Sequence, residues 1–309
     1  MTDERTRLLA RLRRHLDEGV GPSGLSRRMR LRRVQRDALT DEARAAAPAS
    51  PDAPPLPPWC GCENTGTLGS AYLEAAERYA RMRPPARWQV DQCHITPGDM
   101  SRRVALLAEL DDLDGKDILF VGDDDFCSPL VFAAGRPRSV VVIDNDERIL
   151  ANVTRVAEEQ GLPLRAVSFD LRRFVDEEGA LPAELERAFD VFITDPPYSE
   201  SGMLLFCAVG MTALRESPGG VGYVAVPWLN REEWSDELLF KVQRAFVQQG
   251  FVLTDVKRAF AAYEYEEEVF STMLRAEAFL ATRSPRDLLA SWHAEKLYAG
   301  RRWKEDEAG

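Results

Sequence analysis

The sequence predicts an α/β fold with a mostly parallel β-sheet, an antiparallel pair at one edge and helices on both faces. Five short apolar runs alternate with helical patterns between residues 117 and 249, which is typical of parallel strands joined by crossover helices. Two final apolar runs, at 251–256 and 269–274, have no helix between them and therefore predict the antiparallel edge pair.

The individual elements follow from apolar periodicity and capping residues. Ser128 before Pro129 is typical of a helix N-cap, and Gly135 and Gly161 stand where helix C-caps are expected. A further helix, at 71–82, precedes the first strand. The predicted strands are 117–121, 139–143, 164–168, 190–194 and 222–226, and the predicted crossover helices are 129–134, 147–160, 202–214 and 231–249.

Composition divides the 309 residues into four segments. Apolar residues at helical spacing predict two helices, at 5–18 and 25–46, in the Arg-rich start of the chain. Trp292, Tyr298 and Trp303 indicate a docked helix near its end. The segments are an Arg-rich helical region (1–48), a Pro-rich linker (49–68), the α/β domain expected to carry the chemistry (69–280) and a C-terminal helix and tail (281–309).

The charge is unevenly distributed. Residues 1–48 hold 12 arginines and 7 acidic residues, whereas the rest of the chain holds 28 basic and 44 acidic residues. An acidic body repels phosphate backbones and attracts cations, so we expect a cationic small molecule rather than a nucleic acid as partner. The alternative is that the acidity only keeps the protein soluble.

Other features of the sequence concern location, assembly and metal content. No apolar run approaches the ~18 residues of a membrane-spanning helix, so we expect a soluble cytoplasmic protein without membrane contact, and we further expect a homodimer. The five cysteines predict reduced thiols rather than a disulfide framework. Cys60-Gly61-Cys62 and Cys93-His94 lack the ligand spacing of structural zinc sites, and we expect no metal.

Acidic residues follow four of the predicted strands, where ligands bind in such a sheet. Asp144 lies 22 residues after Gly122, as expected for a carboxylate that binds ribose hydroxyls, and Asp170 is then placed to meet an adenine. Any one of these residues alone could be a helix cap or a solvated loop residue. The four segments are Gly122-Asp123-Asp124-Asp125, Asp144-Asn145-Asp146, Phe169-Asp170 and Asp195-Pro196-Pro197-Tyr198.

The loop after the first strand has three carboxylates in place of a glycine-rich phosphate cradle. A pyrophosphate is therefore disfavoured, and an adenosyl group carried on a sulfonium cation is favoured. The α-carboxylate of S-adenosylmethionine would face this triplet, and two like charges ~4 Å apart repel by roughly 4 kcal/mol at an effective dielectric of 20. The loop thus predicts decarboxylated S-adenosylmethionine, which carries a transferable aminopropyl group.

Two further motifs concern the acceptor. Asp195-Pro196-Pro197-Tyr198 resembles the motif with which amino methyltransferases hold a target nitrogen, although the prolines could simply turn the chain. A protonated alkylamine needs a carboxylate to hold and deprotonate it, and Asp124 and Asp195 are the candidates. The segment 263–268, with Tyr263, Glu264 and Tyr265, suits a polyamine, although it is equally typical of a solvated acidic turn.

Taken together, residues 88–277 resemble the branched-chain polyamine synthases, also called bis(aminopropyl)spermidine synthases. The resemblance rests on Asp91-Gln92, Thr96-Pro97, Arg102-Arg103-Val104-Ala105-Leu106 and the four acidic strand-end segments. It implies a Rossmann-like fold of the class I methyltransferase type, 5′-methylthioadenosine as by-product and Asp124 as the base that engages a secondary amine. Family members usually start with a winged-helix-like domain, from which residues 1–48 depart.

The prediction is therefore a transferase that moves an aminopropyl group to an internal amine of spermidine or a related polyamine, without a prosthetic group. The catalytic residues are expected to be Asp124 and Asp195. The donor is expected at Gln92, Gly122, Asp123, Asp144, Asn145, Asp170 and Leu171, and the acceptor at Asp125, Pro196, Tyr198, Tyr263, Glu264 and Tyr265. An S-adenosylmethionine-dependent N-methyltransferase, acting on an amine or a nucleic acid, and a non-catalytic polyamine or nucleoside sensor are the alternatives.

Overall fold

A computed structural model describes most of the chain from residue 72 onward. The described residues are 72–176, 180–215, 219–229, 233–264, 269–279, 285–290 and 296–298, together with the isolated residues 12, 13, 16, 40 and 41. The predicted N-terminal helices and the Pro-rich linker lie outside the described residues, apart from those five positions. Among the described helices, none combines the length and apolar character that crossing a bilayer requires.

The described elements alternate between strands and helices as the sequence predicts. The strands are β1 (Asp117–Val121), β2 (Ser139–Asp144), β3 (Leu164–Ser168), β4 (Val191–Thr194), β5 (Val221–Trp228), β6 (Phe251–Ala262) and β7 (Phe270–Ala278). The α-helices are α1 (Leu73–Ala80), α2 (Pro97–Glu109), α3 (Val131–Ala134), α4 (Glu147–Gln160), α5 (Arg172–Asp176), α6 (Glu200–Ala213) and α7 (Glu233–Gln248). Short 3₁₀ helices cover Trp88–Val90 and Pro285–Leu289.

The seven strands form one sheet in the order β3-β2-β1-β4-β5-β7-β6. The first five strands are parallel, and β7 runs antiparallel to both β5 and β6. The predicted fold class and the antiparallel edge pair are therefore confirmed. The later strand of this pair lies inside the sheet, and the earlier strand, β6, forms the edge.

Buried apolar clusters cover both faces of the sheet. One cluster contains Ile118 and Phe120 of β1 with residues of α2 and α4, and the other contains Leu119 and Val121 with residues of α6 and α7. Neighbouring β1 residues point to opposite faces, so β1 reads as an uninterrupted apolar run. Because β1 to β5 are parallel, their carboxyl ends lie at one side of the domain.

Two details of the predicted elements differ from the structure. The helix expected from Pro129 begins at Val131 with Leu130 as its N-cap residue, and the buried Ser128 hydroxyl makes no hydrogen bond within the described residues, so Ser128 does not cap it. Gly135 is the C-cap residue of this helix but has an extended backbone, whereas Gly161 ends α4 in the predicted left-handed conformation.

Two further elements differ from the elements that the sequence predicts. Helix α2, which Thr96 caps and Pro97 starts, is not among the predicted helices. In the part of the C-terminal segment that is described, the structure has a 3₁₀ turn at Pro285–Leu289 and the separate residues 296–298. Trp292 and Trp303 lie outside the described residues.

Candidate functional site

A cleft opens at the carboxyl ends of β1 to β4, where β1 lies between β2 and β4 in the sheet. The helices that follow β1 and β4 pack on opposite faces at this point, which leaves a crevice between the two loops. The cleft measures about 650 Å³ including its open mouth. Its walls comprise Val90, Asp91, Gln92, Gly122, Asp123, Asp124, Ile143, Asp144, Asn145, Phe169, Asp170, Leu171, Arg172, Asp195, Pro197, Phe206, Leu297 and Tyr298.

The loop after β1 turns sharply at Gly122, which has a positive φ of 74° that glycine adopts readily. Asp123 follows and is 4% exposed. Its carboxylate accepts the backbone N–H groups of Cys127 at 2.8 Å and Ser128 at 3.0 Å. Burial nevertheless raises the pKa of Asp123 to about 7. Asp123 lines the cleft, and its hydrogen bonds to Cys127 and Ser128 fix the conformation of the loop that carries Asp124.

Asp124 differs from its neighbours because, within the described residues, no hydrogen bond or ion pair engages its half-buried carboxylate. Burial raises the pKa of Asp124 well above its usual value, and the negative charges of Asp125, Asp195 and Asp144 raise it further. A carboxylate with a raised pKa and no partner is suited to accept a proton from a ligand.

Asp125 is placed behind the cleft rather than on its wall. It is 2% exposed, and both of its oxygens are engaged: one accepts the backbone N–H of Ile95 at 2.8 Å and the other accepts from Arg103 at 2.9 Å. The predicted contact between Asp125 and an acceptor is therefore not what this arrangement provides.

Asp195 lies at the end of β4 within a polar cluster. Arg103 of α2 donates to it at 2.7 Å, and the Tyr263 hydroxyl donates at 3.1 Å. The Tyr198 hydroxyl lies 3.4 Å from the other Asp195 oxygen, and the two tyrosine hydroxyls contact each other. Burial raises the pKa of Asp195 to about 6, while the Arg103 charge opposes that rise. The structure thus brings together Asp195, Tyr198 and Tyr263, which the sequence assigned to one function.

The remaining acceptor candidates are more dispersed. Pro197 lines the cleft, but Pro196 does not. Glu264 forms an ion pair with the buried Arg83 at 2.7 Å, and its backbone N–H donates to the His94 carbonyl. Glu264 is therefore engaged by the protein itself, and Tyr265 lies outside the described residues.

The other side of the cleft carries the residues predicted for a nucleoside. Asp144 at the end of β2 accepts the Asp146 backbone N–H at 2.8 Å, and burial raises its pKa. Arg172 donates hydrogen bonds to Asp170 through two guanidinium nitrogens, and these bonds lower the pKa of Asp170. Asn145 and Leu171 lie beside them on the cleft wall.

Gln92 approaches this wall from outside the sheet. Its amide donates to Asp146 at 3.1 Å, and its carbonyl oxygen accepts from Arg148 at 3.3 Å. All seven residues predicted to bind the donor thus line a single cleft. The cleft collects them from the ends of β1, β2 and β3 and from the segment before α2.

Several wall residues were missed by the sequence analysis. Asp91, Phe206 and Leu297 were not singled out for the site, and Tyr298 was expected only in a docked helix. The Leu297 carbonyl accepts from the Ser199 hydroxyl at 2.7 Å, which attaches the C-terminal segment to the start of α6. No periodic signal marks Leu297 or Tyr298, because tertiary docking alone brings them to the cleft.

Within the described residues, no group of three or more His, Cys, Asp or Glu side chains is arranged to hold a metal ion. Cys60 and Cys62 lie outside those residues. Asp123 and Asp144 accept backbone N–H groups, Asp170 accepts from Arg172 and Asp195 accepts from Tyr263. Within the described residues, no hydrogen bond or ion pair engages Asp124.

Comparison with known proteins gives concordant matches. The family model described as the C-terminal domain of branched-chain polyamine synthase A matches residues 72–306. The N(4)-bis(aminopropyl)spermidine synthase of Thermus thermophilus is 35% identical over 247 residues, which cover 78% of this chain and 67% of that protein. An uncharacterized protein of Methanocaldococcus jannaschii is 33% identical over 229 residues, covering 74% of this chain and 54% of that protein. This chain thus spans about half to two thirds of the length of these curated relatives.

Solved structures agree with these matches. The branched-chain polyamine synthase from Thermus thermophilus, in complex with N4-aminopropylspermidine and 5′-methylthioadenosine, matches with a TM-score of 0.64 and 32% identity. The match covers 76% of this chain and 72% of that chain. A Pyrococcus horikoshii structure assigned by its name to the RNA methyltransferases matches with a TM-score of 0.52 and 16% identity, covering 69% of this chain and all of that chain, and shows the shared fold alone.

Proposed function

Because the chain belongs to the branched-chain polyamine synthase family, we propose that it transfers an aminopropyl group from decarboxylated S-adenosylmethionine to an internal amine of spermidine or a related polyamine. The products are a branched polyamine and 5′-methylthioadenosine. The observation that carries the proposal is Asp124, a carboxylate without a described partner on the wall of a cleft rich in negative charge.

The proposed donor lies along the loops after β1, β2 and β3. Asp144 and Asn145 hold the ribose hydroxyls, and Asp170 and Leu171 meet the adenine. Gln92 and Asp123 hold the aminopropyl end of the donor. The match to a relative whose crystal structure contains 5′-methylthioadenosine supports a nucleoside in this cleft.

The preference for a decarboxylated donor rests on electrostatics. Asp123, Asp124, Asp144 and Asp195 line the cleft together, and burial raises the pKa of each, which reflects the cost of holding negative charge there. A doubly cationic donor relieves that cost, whereas an added α-carboxylate increases it. We therefore expect tighter binding of the decarboxylated donor than of S-adenosylmethionine.

The proposed reaction is a displacement at carbon. The acceptor nitrogen forms a bond to the methylene carbon attached to the donor sulfonium, and the carbon–sulfur bond breaks. Its electron pair stays on sulfur, which leaves as the neutral thioether of 5′-methylthioadenosine. Asp124 takes the proton that the nitrogen must lose, and Asp195 holds the acceptor in place. Tyr198 and Tyr263 flank Asp195 and cover the methylene groups of the acceptor.

Purified protein incubated with decarboxylated S-adenosylmethionine and spermidine is expected to release 5′-methylthioadenosine in step with a polyamine heavier by one aminopropyl unit. Liquid chromatography quantifies the nucleoside, and mass spectrometry with fragmentation locates the new branch. Donor binding without product, for a series of polyamines, would reject the proposal.

Calorimetric titration separates this proposal from its rivals. Tighter binding of S-adenosylmethionine than of its decarboxylated form would favour an N-methyltransferase. A polyamine response that persists unchanged in Asp124→Asn, with no turnover in the unsubstituted protein, would favour a sensor.

A further inference from the structure

Arg103 connects the two loops that carry the proposed catalytic carboxylates. It lies on α2, is 3% exposed, and donates through one guanidinium nitrogen to Asp125 at 2.9 Å and through the other to Asp195 at 2.7 Å. Asp125 follows β1 and Asp195 follows β4. A guanidinium is planar, keeps its proton and offers donors in a fixed fork, so one side chain holds both loops in a defined relation.

The charges around Arg103 are unequal in number. Asp124, Asp125 and Asp195 are close enough for their charges to act on one another, and the described ion pairs give Asp125 and Asp195 a single shared cation, Arg103. Each of these two carboxylates also accepts a second hydrogen bond. The Ile95 backbone N–H donates to Asp125, and the Tyr263 hydroxyl donates to Asp195. Asp124 receives none of these contacts.

We propose that Arg103 is a positioning residue for aminopropyl transfer: by holding Asp125 and Asp195, it keeps Asp195 anionic and leaves Asp124 as the carboxylate open to the acceptor nitrogen. This inference rests on the proposed function. Without the guanidinium, two buried carboxylates would lose their cation, and one of them would retain a proton at neutral pH. Asp195 would then no longer present a fixed negative charge beside Asp124.

Two substitutions of Arg103 test the two parts of this role. Arg103→Met removes both the charge and the fork, and Arg103→Lys keeps the charge but cannot bridge two carboxylates in the same geometry. We expect kcat to fall about 100-fold in Arg103→Met and less in Arg103→Lys, with the KM for the donor changed by less than about threefold. The acid limb of the kcat/KM profile is expected to move upward by about one pH unit in Arg103→Met.

Arg275 supplies a matched control. It is also a buried arginine, on β7, and it pairs with Asp112 at 2.8 Å and with the Tyr223 hydroxyl at 3.1 Å, away from the cleft walls. Arg275→Met is expected to lower Tm while leaving the acid limb in place. If Arg103→Met behaves in the same way, with a lower Tm and an unmoved acid limb, Arg103 is only structural and the proposal is overturned.

A second variant covers the case in which Arg103→Met does not fold. The double variant Arg103→Met with Asp125→Asn removes the guanidinium together with one of its two carboxylates, so less unpaired charge is buried. It is expected to fold and to retain part of the upward shift of the acid limb, because Asp195 still lacks its cation, while removal of the Asp125 charge offsets some of the rise. A folded double variant with the unsubstituted pH profile would overturn the proposal.

A titration that does not depend on turnover separates this inference from the proposed function. Carbon-13 NMR of labelled aspartate carboxyl groups is expected to place the Asp195 midpoint higher in Arg103→Met than in the unsubstituted protein. An unchanged midpoint overturns the positioning role. If the unsubstituted protein transfers no aminopropyl group but the Asp195 midpoint shifts as expected, the proposed function fails and the electrostatic role of Arg103 stands.

Discussion

The two ends of the parallel sheet contain aspartates in opposite electrostatic settings. At the amino end, the amino-end ion-pair cluster (Asp117, Arg138, Asp190 and Arg215) supplies two arginines for two carboxylates. Hydrogen bonds from Arg138, Ser139 and Arg215 outweigh burial and lower the pKa of Asp117. At the carboxyl end, burial and mutual repulsion raise the pKa values of Asp123, Asp124, Asp144 and Asp195.

The contrast between the two ends of the sheet shows that residue type alone does not distinguish a structural aspartate from a candidate catalytic one. The amino-end ion-pair cluster is neutral when all four groups are charged, so folding alone satisfies it. Among the described residues that line the cleft, carboxylates outnumber cations, so folding leaves negative charge there that a cationic ligand would relieve. A strand-end carboxylate whose partners are missing is therefore the informative feature.

The largest effect that would sharpen the contrast is expected from Asp124→Asn. The amide cannot take the acceptor proton, so kcat should fall by about 10²–10⁴-fold. The affinity for 5′-methylthioadenosine, measured by calorimetry, should change little, because the proposed contacts of the nucleoside are with the loops after β2 and β3. Asp117→Asn is the control at the other end of the sheet, and activity of Asp124→Asn within tenfold of the unsubstituted protein would contradict the proposed base.

The next effect is expected from Asp144→Asn at the nucleoside side of the cleft. Loss of a charged acceptor for the ribose hydroxyls should weaken 5′-methylthioadenosine binding about 10- to 100-fold. The value of kcat at saturating donor should change much less, because the reacting atoms are unaffected. If Asp144→Asn and the unsubstituted protein bind 5′-methylthioadenosine equally tightly in calorimetry, Asp144 does not hold the ribose hydroxyls.

A smaller and graded effect is expected from pH. The folded pKa of Asp195 is raised to about 6, so its anion is lost as pH falls through that value, well above the usual range of an aspartate. We therefore expect kcat/KM to decline about tenfold per pH unit below an acid limb at or above pH 6. A decline that begins only near pH 4 would show that no carboxylate with a raised pKa is required.

The smallest effect is expected at the amino-end ion-pair cluster. Asp117→Asn should lower the free energy of unfolding by about 1 kcal/mol at pH 7, with kcat unchanged. Because the folded pKa of Asp117 is lowered, its stabilisation is present above the unfolded value of 3.8 and disappears as pH falls through the folded value. Denaturant titrations at pH 7 and pH 3 test this sign, and a difference that grows towards low pH would contradict it.

Stability and pH give a direct comparison of the two ends. Raised folded pKa values mean that the cleft aspartates destabilise the fold as pH rises between about 4 and 7, whereas Asp117 stabilises it above 3.8. Asp195→Asn should therefore gain stability relative to the unsubstituted protein as pH rises from about 4 to 6, and the gain should level off above 6. An opposite trend would remove the distinction between the two ends.

Local sequence signals predicted most of the sheet and its strand-end carboxylates. The bounds 117–121, 164–168 and 147–160 coincide with β1, β3 and α4, because apolar runs, Asp146 and Gly161 mark them locally. Helix α2 was missed although Thr96 and Pro97 begin it, and with it the contact of Arg103 with Asp195, 92 residues away. Local periodicity does not encode which arginine reaches which carboxylate, since that depends on tertiary packing.

The acceptor side shows the same limit. Tyr263, the residue after β6, forms an antiparallel bridge with Ile95, and its hydroxyl donates to Asp195. No local pattern in the sequence marks either contact. The sequence also assigned Asp125 to the acceptor from its place in an acidic triplet. Successive residues of a turn face different directions, and only the folded chain shows that Asp125 faces Arg103.

Because β7 lies between β5 and β6, the sheet cannot be completed in the order in which its strands are synthesised. During synthesis from the N-terminus, β5 and β6 are both made before β7. In the final sheet β7, and not β6, is hydrogen-bonded to β5. In the final register, this side of β5 therefore has no partner until β7 has been synthesised. In that interval the nascent chain exposes an unpaired strand edge that is prone to aggregate. Binding by a chaperone would protect it most at this stage.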